Sequence, residues 1–193
     1  MLKTSPLTLA ALCLGLVSTV QAETFKIDPD HTDVAFMVSH LGYSDMIGEF
    51  YGVEGEFTYD QNDPAASSVT VIIPTATIDT RHEDRDQHLR SPDFFNAVEF
   101  PEMTFESTEV KVTGEDTLEV TGDLSLLGVT KPVTLEVTVN KVAPHPLPNY
   151  NGVLTAGFSA RTTLNRSDFG MNTFLPAIGD EVRLLLEVEG MAQ

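Results

Sequence analysis

Thr117-Leu118-Glu119-Val120-Thr121-Gly122-Asp123-Leu124-Ser125-Leu126-Leu127 alternates apolar with polar residues. After the turn signal of Gly128 to Pro132 the pattern resumes in Val133-Thr134-Leu135-Glu136-Val137-Thr138-Val139-Asn140. Leu118, Val120, Leu124 and Leu126 share one face, while Glu119, Thr121, Asp123 and Ser125 share the other. Successive side chains of an extended chain point to opposite sides, so this period marks strands with one dry and one wet face. The connection is too short for a parallel crossover, which leaves an antiparallel pair. A further run over 102–112 precedes them across Gly114-Glu115-Asp116, so 102–112, 117–127 and 132–142 read as a meander.

The same signal extends in both directions. Val182, Leu184, Leu186 and Val188 alternate with Glu181, Arg183, Leu185 and Glu187. Strands are predicted near 33–41, 47–60, 68–78, 153–165 and 181–190, with a short one at 24–28 before them. The period vanishes over 80–96. There Ser91-Pro92-Asp93 has the form of a helix start, with Ser91 as N-cap and Pro92 at the first helical position, and Arg81 to Leu89 suits another short helix. The fold class is therefore all-β and antiparallel, about eight strands with one short helical insertion near 80–96. Helices do not alternate with strands, which excludes an α/β architecture. Several runs exceed the usual strand length of about 5–6 residues. Long strands favour a tall barrel, and a barrel of about eight strands has room for one small ligand.

The N-terminus has the layout of a secretory signal peptide: Lys3, an apolar run from Leu7 to Val17, and Val20-Gln21-Ala22 as the cleavage site. The run falls short of the roughly 20 apolar residues of a membrane span, so no stable membrane anchor is expected. Residues 1–22 are assigned to the signal peptide and 23–193 to a single secreted domain. Cys13 is the one cysteine and lies in the signal, so no disulfide supports that domain. A formal charge of −18 repels phosphate backbones, which makes nucleic acid a poor partner.

Groups for chemistry are sparse. His31, His40, His82, His88 and His145 are the available general bases, but no serine or threonine has a nucleophile-elbow setting. The segment from His82 to His88 is the densest set of metal-ligand types. Its histidines are six apart and point in different directions on a helix, and Arg85 and Arg90 repel a cation. No metal, cofactor or catalytic residue is assigned. Phe36, Val38, Leu41, Phe50, Phe57, Phe94, Phe95, Phe105, Phe158 and Phe169 are spread over strands and insertion. As residues alone, they are either ordinary core or the lining of a cavity.

Asp79-Thr80, the run from Arg85 to Ser91, Phe94-Phe95, Phe100-Pro101, Thr104-Phe105-Glu106-Ser107 and the stretch from Gly122 to Val133 occur here in order. They are joined by Lys26-Ile27-Asp28, His31, His40-Leu41-Gly42-Tyr43-Ser44, Asp168-Phe169 and Val188-Glu189-Gly190. Together, from about Phe25 to Gly190, they resemble the YceI-like family of bacterial periplasmic proteins. The resemblance implies a lipocalin-like extended β-barrel whose interior holds a polyisoprenoid, an isoprenoid quinone or a similar amphiphilic lipid, with no enzymatic activity. It is compatible with a homodimer, though no residue compels one. Two places depart from the family pattern: Asp45 stands where relatives often carry tryptophan, and Pro144 to Tyr150 replaces a more glycine-rich loop.

On this reading the ligand contacts are Phe36, Val38, His40, Phe50, Arg85, Asp86, His88, Leu89, Phe94, Phe95, Phe105, Leu126, Phe158 and Phe169. His40, Arg85, Asp86 and His88 are the polar members placed at a headgroup. The alternative for Arg85 and Asp86 is that they hold the insertion down. Two other functions compete with the carrier: an enzyme acting on such a lipid through His88 or His40, and an envelope stress or interaction protein whose barrel is filled by its own side chains.

Overall fold

The computed structural model describes residues 22–193, so the expected signal peptide and Cys13 lie outside the described residues. The strands are β1 (Glu23–Ile27), β2 (Asp33–His40), β3 (Ser44–Phe50), β4 (Glu54–Tyr59), β5 (Ser68–Pro74), β6 (Glu102–Val112), β7 (Thr117–Leu126), β8 (Val129–Pro144), β9 (Leu154–Asn165) and β10 (Ile178–Ala192). All pair antiparallel, in the order β1-β4-β5-β6-β7-β8-β9-β10-β2-β3, and β1 also pairs β10.

The register explains how ten segments close as an eight-stranded barrel. β10 receives β2 along Val182–Glu187 and β1 along Gly190–Ala192, both on the side opposite β9. β1 and β2 are thus one barrel strand interrupted at Pro29–His31. β3 pairs β2 and β4 pairs β1, so they too form one strand, broken at Tyr51–Val53 where Gly52 takes φ 68°. The sequence reads 47–60 as unbroken; the left-handed residue forces the interruption. Beyond β5, Asp79 bridges back to Glu49 and carries the ladder past the break.

The β7–β8 hairpin is tighter than the sequence suggests. Leu126 pairs Val129, and only Leu127 (φ 52°) and Gly128 (φ 73°) form the turn. Positive φ at both positions is the geometry that matches the right-handed twist of a hairpin. Lys131 and Pro132, expected in the turn, lie in β8 instead.

The insertion contains one α-helix among the described residues, α1 (Glu83–Leu89), capped by His82. Glu83, Asp84 and Asp86 occupy its first turn, where the helix dipole favours negative charge. The helix expected from Ser91 does not form. Asp93 N–H reaches Ser91 Oγ at 3.3 Å as at a helix start. The following N–H groups turn back: Phe95 to Leu89, Asn96 to Ser91 and Ala97 to Arg90. Phe94 and Phe95 are drawn inward onto the core, and that takes the chain off a helical path.

The barrel has two ends. One carries the turn at 41–43, the insertion 75–101, the turn at Leu127-Gly128 and the connection 166–177; the other carries the turns at 60–67 and 113–116, the loop 145–153 and both Glu23 and Gln193. A core cluster around Val34, Phe36, Phe50, Ile73 and Leu126 fills the insertion end. Phe25, Phe57, Phe105, Val120 and Val137 belong to clusters at the other end.

Candidate functional site

The inward face of the strands is not packed solid. Val182, Leu184, Leu186 and Val188 of β10 point into the barrel yet are only half-buried, and so are Val71, Leu124, Val133, Leu135 and Leu164. Interior residues at crystal-like packing density are normally sealed from a water-sized sphere, so these border open space. Two apolar cavities account for it. The upper one, at the insertion end, is about 190 Å³ and bounded by Phe36, Val38, Phe50, Ile73, Leu89, Phe94, Phe95, Met103, Leu126 and Met171 among others. The lower one, toward the termini, is about 120 Å³ and bounded by Phe57, Tyr59, Val69, Val110, Leu118, Val120, Val137 and Phe158 among others. Val34, Val71, Phe105, Leu135 and Leu186 belong to both walls, so the cavities abut along the barrel axis.

Phe105 is the bulkiest member of this shared layer, and a glycine makes room for it. A Cβ at Gly122 would stand 2.5 Å from Phe105 Cζ and 2.5 Å from the Glu106 carbonyl oxygen. In the upper cavity the aromatic rings form a chain. Phe36 and Phe50 are 5.7 Å apart and tilted, and Phe50 meets Phe95 edge-on at 5.3 Å. In the lower one, Phe158 meets both Phe57 and Tyr59 edge-on at 5.3 Å.

Most of the apolar residues singled out from sequence converge here. Phe36, Val38, Phe50, Leu89, Phe94, Phe95, Phe105 and Leu126 line the upper cavity; Phe105 and Phe158 line the lower. Phe169 does not reach either wall; it belongs to the β9–β10 connection and is buried in the core at the insertion end. The four polar candidates also stand off the walls. His40 pairs Ser44 at the mouth of the β2–β3 turn. His88 Nε2 bonds the Asp93 carboxylate at 2.9 Å and lies edge-on to Phe94 and Phe174.

Arg85 and Asp86 are engaged with Thr80. Arg85 Nε donates to Thr80 Oγ1 at 2.6 Å and Nη2 to Thr80 O at 2.7 Å. Asp86 Oδ1 accepts from Thr80 N–H at 2.8 Å and from the Thr80 hydroxyl. Burial pushes the Asp86 carboxyl up, but the Thr80 hydrogen bonds and the charge of Arg90 outweigh it and hold the group below the usual carboxylate range. These contacts tie α1 to Thr80, the neighbour of Asp79, which bridges Glu49 of β3.

Sequence reasoning missed Arg166, which borders the upper cavity and is 4 % exposed. Its guanidinium donates to Gly179 O at 2.8 Å, Met171 O at 2.8 Å and Ile178 O at 3.0 Å. It thereby satisfies carbonyls at the register shift between Ile178 and Val182 and ties down the β9–β10 connection. Burial lowers its pKa while Asp180 opposes. Asp180 is itself held below the carboxylate range by the Ser167 hydroxyl and N–H. No periodic signal marks such an arginine. The aliphatic positions Val71, Leu135, Leu164, Leu184 and Leu186 could have been found by following the inward columns rather than the phenylalanines. Neither wall contains a histidine, carboxylate, lysine or cysteine, and the guanidinium of Arg166 is turned to its three carbonyls, so what the cavities offer chemically is apolar surface.

Comparison with known proteins bears on this architecture. The YceI-like domain matches residues 25–190. The chain belongs to the YceI-like family. The YceI protein of Escherichia coli is 44% identical over 189 residues, spanning 97% of this chain and 96% of its own. A UPF0312 protein of Pseudomonas aeruginosa is 44% identical over 192 residues, 96% and 98% of the two chains. Among solved structures, the YceI protein of Campylobacter jejuni superposes with a TM-score of 0.71 at 29% identity, over 80% of this chain and 90% of that one. BcnA of Burkholderia cenocepacia gives 0.76 at 22% identity, over 84% and 98%. A polyisoprenoid binding domain from Saccharophagus degradans gives 0.68 at 13% identity, over 90% and 100%. The last two establish the shared fold alone. In this family setting the closed barrel expected from the resemblance is the fold found.

Proposed function

We propose that this YceI-like protein is a periplasmic carrier or reservoir for a long-chain isoprenoid or related amphiphilic lipid, isoprenoid quinones included, and that it acts by binding and not by catalysis. The observation that carries this reading is the pair of abutting apolar cavities inside a closed barrel. Polyisoprenoid binding by the Saccharophagus degradans domain of the same fold points the same way.

Magnitudes support the reading and refine it. Each buried methylene contributes about 0.8 kcal/mol. Roughly ten carbons therefore balance the middle of the ~4–15 kcal/mol that association costs. An engineered cavity of about 150 Å³ takes a benzene, so each cavity as it stands accommodates a few carbons. A longer chain must thread through the layer of Val71, Phe105 and Leu135, whose rotamers are the gate between them.

The test is direct. Protein secreted and purified without detergent is extracted with organic solvent, and the extract is analysed by mass spectrometry. The reading expects an isoprenoid in the extract, or saturable uptake of an added polyprenyl compound by lipid-free protein. Repeated absence of both overturns it. Periplasmic residence predicts that osmotic shock releases a chain beginning at Glu23; retention of residues 1–22 in the released protein contradicts that part.

A further inference from the structure

We infer that the lipid enters and leaves the upper cavity sideways, through a seam in the barrel wall between β8 and β9, without either end of the barrel coming apart. The inference rests on the isoprenoid-carrier reading and adds to it the route by which an apolar chain reaches the cavities.

The β8–β9 ladder stops before its strands do. It runs from the pair Pro144 and Leu154 to the pair Glu136 and Arg161, although β8 begins at Val129 and β9 continues to Asn165. The register would next set Thr134 opposite Thr163 and Pro132 opposite Asn165. Among the described residues, this stretch of β8 pairs β7 alone and this stretch of β9 pairs β10 alone. At about 3.3 Å per residue, the positions 162–165 left without a β8 partner make a seam roughly 13 Å tall.

The residues along it keep it unzipped. Thr134 O accepts from the Thr162 hydroxyl at 2.8 Å. The backbone of Thr134 therefore faces β9, and a side chain meets it where the ladder would place the backbone of Thr163. Backbone direction alternates, so Pro132 faces β9 as well, and it has no N–H to give. Proline in a sheet is confined to such unpaired edges. Nearer the insertion, Lys131 Nζ meets Asp168 Oδ1 at 3.2 Å, with both side chains about half exposed.

Inside and outside meet at this seam. On the outer surface it carries a cleft of about 480 Å³ bounded by Lys131, Thr134, Thr163, Asn165 and Asp168 among others. Val133, Thr162 and Leu164 border both this cleft and the upper cavity. Their side chains are the partition between solvent and the cavity.

Passage elsewhere breaks more. The insertion end is fastened by Arg166 on three carbonyls and by the Thr80 contacts of Arg85 and Asp86. At the other end β1 is laddered to both β4 and β10, with Phe25 stacked on Phe57. Opening the seam displaces one hydroxyl contact and one solvent-screened ion pair, which holds little. It breaks no backbone pair.

None of residues 23–193 is cysteine, so thiols can be placed at will. Thr134→Cys with Thr163→Cys sets two exposed thiols across the seam. A bis-methanethiosulfonate reagent bridges them, and reductant cuts the bridge. A second protein carries His88→Cys with Phe174→Cys, whose rings stand 6.0 Å apart, and is bridged in the same way across the insertion end. The readout is the rate at which a tritiated long-chain prenyl alcohol moves between phosphatidylcholine vesicles and each protein.

Bridging the seam should arrest uptake and release, and reduction should restore both. Bridging the insertion end should leave the rates equal to those of the same protein after reduction. Thr162→Val, which removes the crossing hydroxyl, should speed exchange by about 2–10-fold, the worth of one hydrogen bond. If the bridged seam exchanges lipid as fast as its reduced form, or if bridging the insertion end slows exchange as much as bridging the seam, the lateral route is overturned while the carrier reading stands. Slower exchange in Thr162→Val also overturns it. If the wild-type protein takes up no prenyl alcohol, the carrier reading fails and the route fails with it.

Discussion

The two ends of the barrel are built from the same alternating strands and closed by different physics. At the insertion end, long connections fold over the opening and are fixed by buried charged groups. Arg166 serves the β9–β10 connection and Asp86 with Arg85 serves the insertion through Thr80. At the termini end every connection is shorter than those two and the closure is aromatic, with Phe25 stacked on Phe57 at 5.0 Å and Phe158 edge-on to Phe57 and Tyr59. Apolar packing is insensitive to pH and tolerant of modest change in side-chain shape. A buried polar clamp depends on every partner being present and in one protonation state. The ends should therefore fail under different challenges, and the insertion end should be the one that opens.

The largest expected effect comes from Arg166→Met. An apolar replacement removes the cost of burying a charge, yet it strips the donors from the carbonyls of Met171, Ile178 and Gly179. At about 1–3 kcal/mol for each orphaned group, the loss dominates. Urea unfolding should report a decrease of roughly 3–5 kcal/mol. A decrease below about 1 kcal/mol would mean that the connection is held by its apolar contacts instead.

Asp86 gives a smaller effect that depends on pH. Asp86→Ala leaves the Thr80 N–H and the Thr80 hydroxyl proton without their acceptor and should cost about 2–3 kcal/mol. In the folded protein the carboxyl is held below its ordinary value. Its contribution is therefore complete above the unfolded pKa of about 3.9 and is lost as pH falls through the lower folded value. Asp180 behaves in the same sense. Hydrogen exchange on a descending pH series should show amides of 80–97 and 166–180 losing protection before those of β4, β7 and the adjoining part of β8. Simultaneous loss at both ends would remove the distinction. In Asp86→Ala the acid sensitivity of 80–97 should be blunted.

Gly122→Ala is the smallest of the three and acts between the ends. The added methyl meets Phe105 Cζ and a backbone oxygen at 2.5 Å. The ring has room to move toward the cavities, while the Glu106 carbonyl does not, so a loss of about 1–3 kcal/mol is expected, as for overpacking. Displacing Phe105 narrows the passage between the cavities. Uptake of a long prenyl chain should slow, while binding of a short one in the upper cavity should persist. Equal uptake of both would show that Phe105 is not on the path.

The comparison also explains what the sequence did and did not disclose. The staves follow from a period-two pattern, so β7, β8 and β10 were legible, as was a helix ending at Leu89. Pairing of β1 and β2 with one long β10 was not, because nothing in Glu23–His40 says that two short runs share one neighbour. The break at Tyr51–Val53 turns on a single left-handed glycine. Ser91-Pro92-Asp93 has the composition of a helix start, but burial of Phe94 and Phe95 overrode that local preference. The cavity walls were legible as inward columns, though whether a column is packed or open depends on how far apart opposite strands stand. Arg166 was invisible because it is defined by what surrounds it, the carbonyls of Met171, Ile178 and Gly179.

The central claim is that one apolar chain occupies both cavities. The most direct measurement uses methyl-labelled protein and an isotope-filtered NOE experiment with an unlabelled long-chain prenyl alcohol. The account predicts contacts from the same chain to Leu126 and Leu184 in the upper cavity and to Val69 and Val120 in the lower one. Contacts confined to outward methyls such as Leu185 and Val112, with none to the inward columns, would contradict it.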